Sequence, residues 1–280
     1  MISVELKSRH DFAEWRDKAR GLLRIGAHPC EVVWQAPGMP HSLFGQSPDA
    51  DGKRVASGPM ISVPNAFIDL ASHVICHRDE ARFARLYQLL WRLQSSRGLI
   101  ANTIDDDVRW LRARAKSIHR DLHKMHAFVR FRKVGEEAGR EAFAAWFEPD
   151  HYITDLAAPF FVKRFHGMDW AIITPTRRAI WHNETLILSE GGHKFEVPDN
   201  DAIEEQWRTY YGSIFNPARV KIQAMQSEMP KKYWKNLPEA ECITPLLQQA
   251  RERVTRMQEN ELSPANPRAL KWQTNSAKPI

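Results

Sequence analysis

The chain has 280 residues, of which 43% are hydrophobic and 26% charged, a globular composition with enough apolar content to core one or two domains. Lys and Arg number 40 against 34 Asp and Glu, a surplus of +6 that is too small to define a partner until its placement is known. No apolar run approaches the roughly 20 residues of a membrane span. The opening "MISVELKSRHDF" lacks a signal-peptide core, and Cys30, Cys76 and Cys242 lack C-x-x-C spacing. A cytoplasmic protein with neither a membrane partner nor a disulfide framework is therefore expected.

"ISVEL", "DFAEWRDKARGLLRIG" and "CEVVWQAP" predict strand, helix, strand, the helix carrying Phe12, Trp15, Ala19, Leu22 and Leu23 at helical spacing. Residues 41–59, rich in Ser, Pro, Gly and Asp, predict a loop. Two helices follow, at about 64–76 and 79–97, the first opened by Pro64. A third, at about 104–125, is the best-defined element: Thr103 is placed to cap it and Asp105, Asp106 and Asp107 suit its first turn. "AFVRFRKV" and "EAFAAWFE" predict a hairpin around "GEEAG", with Phe128, Arg130 and Arg132 sharing one face. "YITDLAAPFFVKRF" predicts a helix that Pro159 breaks or starts, and "WAIITP", "RRAIWH" and "ETLILSE" predict short strands. Helices dominate from about 201. The expected fold class is α+β, with helices packed on a small antiparallel sheet. Its expected parts are a core over 1–200, a helical C-terminal region over 201–259 and a linker or tail over 260–280.

On the third helix, Val108, Leu111, Ala115, Ile118, Leu122 and Met125 form an apolar stripe, with Arg109, Arg112, Lys116, Arg120 and His123 running beside it at the same steps. From Arg109 to Lys133 the sequence carries nine basic residues, Lys124, Arg130 and Arg132 among them, and one acid, Asp121. Solvated helix faces usually mix signs. A one-signed run suits phosphate, because neutralised phosphates release counterions. An ordinary solvated face, an acidic protein partner or a small anion remain the alternatives.

His119, His123 and His126 raise the question of metal. The first two are four apart, a spacing that can place two imidazoles on one ion. Arg120 stands where a metalloprotease helix carries Glu, and Arg120 and Lys124 repel a cation, so no metal and no cofactor are expected. "KMHAFVRF" partly matches an RNA-recognition strand signature, but Lys124 ends a long helix and the match is read as chance. Glu148 shares a face with Trp146 and can pair with Arg130 or Arg132, or serve as an acid or base.

"HRDLHKMHAFVRFRKV", "WFEPDHYITDLAAPFFVKRF", "WAIITPTRRAIWH" and "FNPARVKIQAMQSEMPKKYWKNLPEA", in this order, resemble one family over most of residues 1–260. It is a domain of unknown function associated with DNA metabolism and DNA repair. Its members occur beside radical-SAM proteins related to spore photoproduct lyase, and fused in front of UdgX-type uracil-DNA-binding proteins of the uracil-DNA glycosylase superfamily. The resemblance implies a DNA-repair setting and a glycosylase-superfamily or radical-SAM partner, and transfers no catalytic residue. The expected function is DNA binding through Arg109, Arg112, Lys116, Arg120, Lys124, Arg130 and Arg132. The rivals are an enzyme acting on damaged or modified bases with His123, His126 and Glu148 in its site, and a protein-docking scaffold.

Overall fold

The computed structural model describes residues 1–39, 61–137, 139–198, 209, 222–237 and 239–261. The N-terminal stretch forms the expected strand, helix and strand: β1 (Ile2–Glu5), α1 (Phe12–Arg24) and β2 (Val32–Gln35), with β1 and β2 paired in parallel. Asp11 caps α1 by accepting from the Ala13 and Glu14 N–H groups at 2.8 and 3.1 Å, which satisfies donors that the first helical turn leaves open. The loop expected at 41–59 lies outside the described residues.

Next come α2 (Asn65–Val74), α3 (Arg82–Ser95) and α4 (Asp106–Phe128). Asp105, not Thr103, caps α4, its side chain accepting from Asp107 and Val108 at 3.1 and 3.2 Å. The acids of this first turn also brace α3: Arg92 bonds Asp105 at 2.5 Å and Asp107 at 2.7 Å, and Arg85 bonds Asp107 at 2.7 Å. The helix ends later than its hydrophobic pattern indicates, so Phe128 is its last residue.

A five-stranded sheet follows: β3 (Arg132–Glu137), β4 (Arg140–Trp146), β5 (Asp169–Ile173), β6 (Arg177–His182) and β7 (Thr185–Glu190), arranged in that order. A hairpin forms, but β3 starts later than expected and runs through Gly135, Glu136 and Glu137 of the expected loop, with Arg132 opposite Ala144 and Gly139 at φ 78 in the shorter turn. One expectation is corrected. The sheet is mixed, because α5 (Thr154–Arg164) carries the chain across and sets β5 parallel to β4. Pro159 lies inside α5 and neither breaks nor starts it. A fold of mixed α and β elements results, the α+β class that the pattern predicts.

Two aromatic clusters anchor these layers. Trp34 packs against Trp15, Phe83 and Tyr87, and Trp170 packs against Phe131 and Phe161, with ring centroids 5.9 to 6.5 Å apart. Trp15, Phe83, Tyr87, Phe161 and Trp170 are fully buried or nearly so, and each large ring removed from water contributes on the order of 3 kcal/mol.

The chain divides into two units, Met1–Val197 and Pro198–Ile280. The second contains α6 (Ile222–Glu228), α7 (Lys231–Trp234) and α8 (Ala240–Glu261), with the Trp234 indole donating to the Met229 carbonyl at 3.0 Å. "DAIEEQWRTYYGSIF", apart from Thr209, and the expected tail beyond Glu261 lie outside the described residues. No described helix is long and apolar enough to cross a membrane.

Candidate nucleic-acid interface and a buried polar centre

Helix α4 presents two different faces. Val108, Leu111, Ala115, Ile118 and Met125 are buried, while Arg109, Arg112, Lys116, Arg120 and His123 are exposed on the opposite side. Asp121, the lone acid among the nine bases, is also buried: its carboxylate accepts the His151 backbone N–H at 2.9 Å. The exposed side of α4 is thus basic beyond its first turn. Within that turn Arg109 bonds Asp106 at 2.7 Å, a contact exposed on both sides and of little energetic weight. Arg112 donates to the Ile100 carbonyl at 2.9 Å, whereas Lys116 and Arg120 are unpaired among the described residues.

Not every base of the run belongs to that face. Arg114 bonds Asp79 at 3.0 Å and lies over the Trp110 ring at 3.9 Å. Lys124, Arg130 and Arg132 are half-buried. Because α4 continues to Phe128 and β3 starts at Arg132, the strand alternation expected for Phe128, Arg130 and Arg132 does not exist. Arg130 lies in the junction and donates to the Ala127 and Val129 carbonyls at 2.7 and 3.3 Å, closing the end of the helix. The exposed ridge therefore narrows to the α4 residues 109 to 123.

The three histidines take separate surroundings. His119 meets His73 of α2 in a tilted contact, centroids 4.4 Å apart, and His123 faces solvent. His126 stacks on Phe160 of α5 at 4.0 Å, and burial, then the nearby His123, lowers its pKa. Glu148 accepts from the Trp146 indole at 3.2 Å, and neither His123 nor His126 bonds to it. Among the described residues no three His, Cys, Asp or Glu side chains are grouped to hold a metal ion.

A different constellation does assemble, at the carboxyl ends of the parallel strands β4 and β5. Open sheets that contain parallel strands commonly bind ligands at this edge. The loop "EPDHYITD", 148–155, leaves β4 here and meets "CHRDE", 76–80, between α2 and α3. The His77 and His151 rings meet with centroids 4.2 Å apart, tilted by 32°. His151 Nδ1 accepts from the Arg78 N–H at 3.4 Å, and its Nε2 lies 2.9 Å from Ser117 Oγ, within hydrogen-bond reach. His77 Nδ1 accepts from the Asp79 N–H at 3.0 Å. Burial above all, then Arg114, Arg82 and Arg78 acting against Asp79, push the His77 pKa down to about 4.

The adjoining wall is equally polar. Arg82 is buried and spends its guanidinium on the carbonyls of Ile75, Asp79 and Arg9 at 2.8, 3.0 and 2.5 Å. Burial lowers its pKa to about 10, which leaves it a cation at neutral pH. Arg9 donates to the Tyr152 hydroxyl at 2.6 Å, and Arg177 grips Asp155 through two bonds of 2.8 and 3.0 Å. Burial opposes the Asp155 charge, yet the bonds from His10 and Arg177 outweigh it and hold the carboxyl below its usual range. Cys76 is no thiolate: burial raises it to about 12.

This centre escapes a residue-by-residue inspection because its members come from five separate stretches of sequence. One signal was available: Arg114 lies two residues past Arg112, so helical spacing turns it off the ridge.

These features define an α+β protein with a one-signed helical face and a histidine- and arginine-rich centre at a parallel strand edge. The chain belongs to the family of the domain of unknown function DUF4130, whose profile matches residues 80–239. That span covers α3 to α7, and with them the ridge, Ser117 and His151. No curated protein and no solved structure matches the chain.

Proposed function

We propose that this protein binds DNA through the exposed ridge of α4, in a repair setting and alongside a DNA-modifying partner of the glycosylase superfamily or the radical-SAM class. The observation that carries the binding is the orientation of Asp121. With that carboxylate turned into the core, Arg112, Lys116 and Arg120 present an uninterrupted positive field. The partner and the repair setting rest on the family resemblance. If Arg109, Arg112, Lys116 and Arg120 each meet one phosphate of a duplex, log affinity falls against log salt with a slope of about −3.6. Fluorescence anisotropy with a labelled duplex over a salt series tests this. A Lys116→Glu/Arg120→Glu chain should lose most of the binding, and equal affinity in that variant would sink the proposal.

The second reading, an enzyme acting on damaged or modified bases, draws on the polar centre in place of His123, His126 and Glu148. The His77–His151 contact supports it, because the neutral His77 imidazole beside several guanidinium groups can hold or pass a proton next to an anionic substrate. Incubating the protein with oligonucleotides carrying uracil, oxidised or alkylated bases, with His77→Asn as control, separates this reading from simple binding. Product formed equally by both chains would rule out His77.

A further inference from the structure

At the C-terminal end of the ridge, α4 and α5 bring two rings into parallel contact. His126 and Phe160 have centroids 4.0 Å apart and an interplanar angle of 23°. Phe161 meets both rings edge-on at 5.6 and 5.2 Å and is itself 2% exposed, so the pair is braced from the core side. Phe160 remains 42% exposed.

A single exposed aromatic ring is ordinary on a protein surface. The surroundings distinguish this one. His123 stands one turn before His126, and Lys163 and Arg164 follow Phe160 on the last turn of α5. All three are exposed, and both α5 bases are unpaired among the described residues. The last acid of α4 and the acid of α5 are engaged elsewhere: Asp121 bonds His151, and Asp155 bonds His10 and Arg177. Among the described residues His126 Nε2 is buried without a hydrogen-bond partner, and the ring's contacts on this side are aromatic. An open aromatic face held flat by a second ring and surrounded by cations matches the chemistry of an unpaired base attached to its phosphates. A paired base offers no such face, because its neighbours in the duplex cover it.

We infer that the Phe160 ring, supported by His126, is a base-stacking platform at the end of the α4 ridge, and that the preferred ligand is single-stranded DNA. This rests on the proposed DNA binding and adds strand selectivity to it. His126 to Arg112 spans fourteen helical residues, about 21 Å at 1.5 Å per residue. A strand anchored at the platform can therefore run along the ridge and meet several of its cations.

The test measures anisotropy of labelled oligo-dT, and of the same strand paired with oligo-dA, on the full chain. Base–aromatic stacking predicts that Phe160→Ala weakens single-strand binding by about five- to 150-fold while duplex affinity holds. Phe160→Trp should restore or exceed wild-type single-strand affinity, and matching thermal midpoints show that both variants fold. Equal loss on both DNAs, or none on either, overturns the platform and leaves the ridge standing. A Lys116→Glu/Arg120→Glu chain that binds as well as wild type overturns the ridge instead. Failure of the wild-type chain to bind either DNA at low salt overturns both.

Discussion

The imidazole of His151 stands 4.2 Å, centroid to centroid, from that of His77, and each ring accepts a backbone N–H at Nδ1, from Arg78 and Asp79 respectively. Two rings in contact, with arginines on several sides, tolerate little added charge. Burial, reinforced by Arg114, Arg82 and Arg78 and opposed by Asp79, holds the His77 pKa near 4. Between that value and the ordinary 6.5 the unfolded chain binds the proton and the folded chain does not. Stability is therefore complete above pH 6.5 and falls as pH drops toward 4. His77→Asn, which keeps an acceptor for the Asp79 N–H and cannot protonate, should flatten that slope. Urea midpoints at pH 4.5, 5.5 and 7 compare the two chains, and parallel pH profiles would contradict the assignment.

The cap on α4 gives a second contrast. Asp105 accepts from two first-turn N–H groups and bonds Arg92 at 2.5 Å, whereas Thr103 is exposed and caps nothing. Asp105→Ala should cost about 1 kcal/mol through the cap alone, and more with the loss of its bridge to Arg92. Thr103→Ala should stay within about 0.5 kcal/mol of wild type. Chemical denaturation resolves the difference, and a larger effect at Thr103 would reverse the order.

Asp121 joins the ridge to the polar centre from beneath. Asp121→Ala leaves the buried His151 N–H without its acceptor, a loss of about 1 to 3 kcal/mol. DNA affinity should change little, since the carboxylate does not face the ridge. Denaturation and anisotropy on the same preparation check both halves. A tenfold rise in affinity would mean that the Asp121 charge reaches the bound phosphates.

His123 is exposed and one helical turn from Arg120, so it extends the ridge as a hydrogen-bonding group. Elemental analysis of the purified chain should find no stoichiometric metal. His123→Ala should reduce DNA binding by about 0.5 to 1.5 kcal/mol, the worth of one hydrogen bond, without moving the thermal midpoint. About one zinc, iron or manganese per chain, lost in that variant, would replace the ridge reading with a metal site.

Local pattern sufficed wherever one element decides the outcome. The apolar stripe of α4 and the exposure of Arg112, Lys116 and Arg120 follow from a period of 3.6 residues, and the β3–β4 hairpin follows from alternation around a glycine turn. The same pattern misjudged the end of α4. Phe128 suits helix and strand alike, and the extended backbone of Val129, with the Arg130 bonds to the Ala127 and Val129 carbonyls, marks where the helix stops.

Tertiary packing decided the rest. Asp121 and Arg114 read as members of the charged run until packing turned one onto His151 and paired the other with Asp79. The parallel pairing of β4 and β5 depends on α5 crossing the sheet, and it brings "EPDHYITD" to an edge where "CHRDE", which starts 72 residues earlier in the sequence, already lies. A side chain's role in a charged cluster depends on its distance to partners and its exposure to water. Sequence spacing sets those quantities within one helix or strand. Between elements, the packing of Trp170, Phe161 and Phe131 and the sheet register set them.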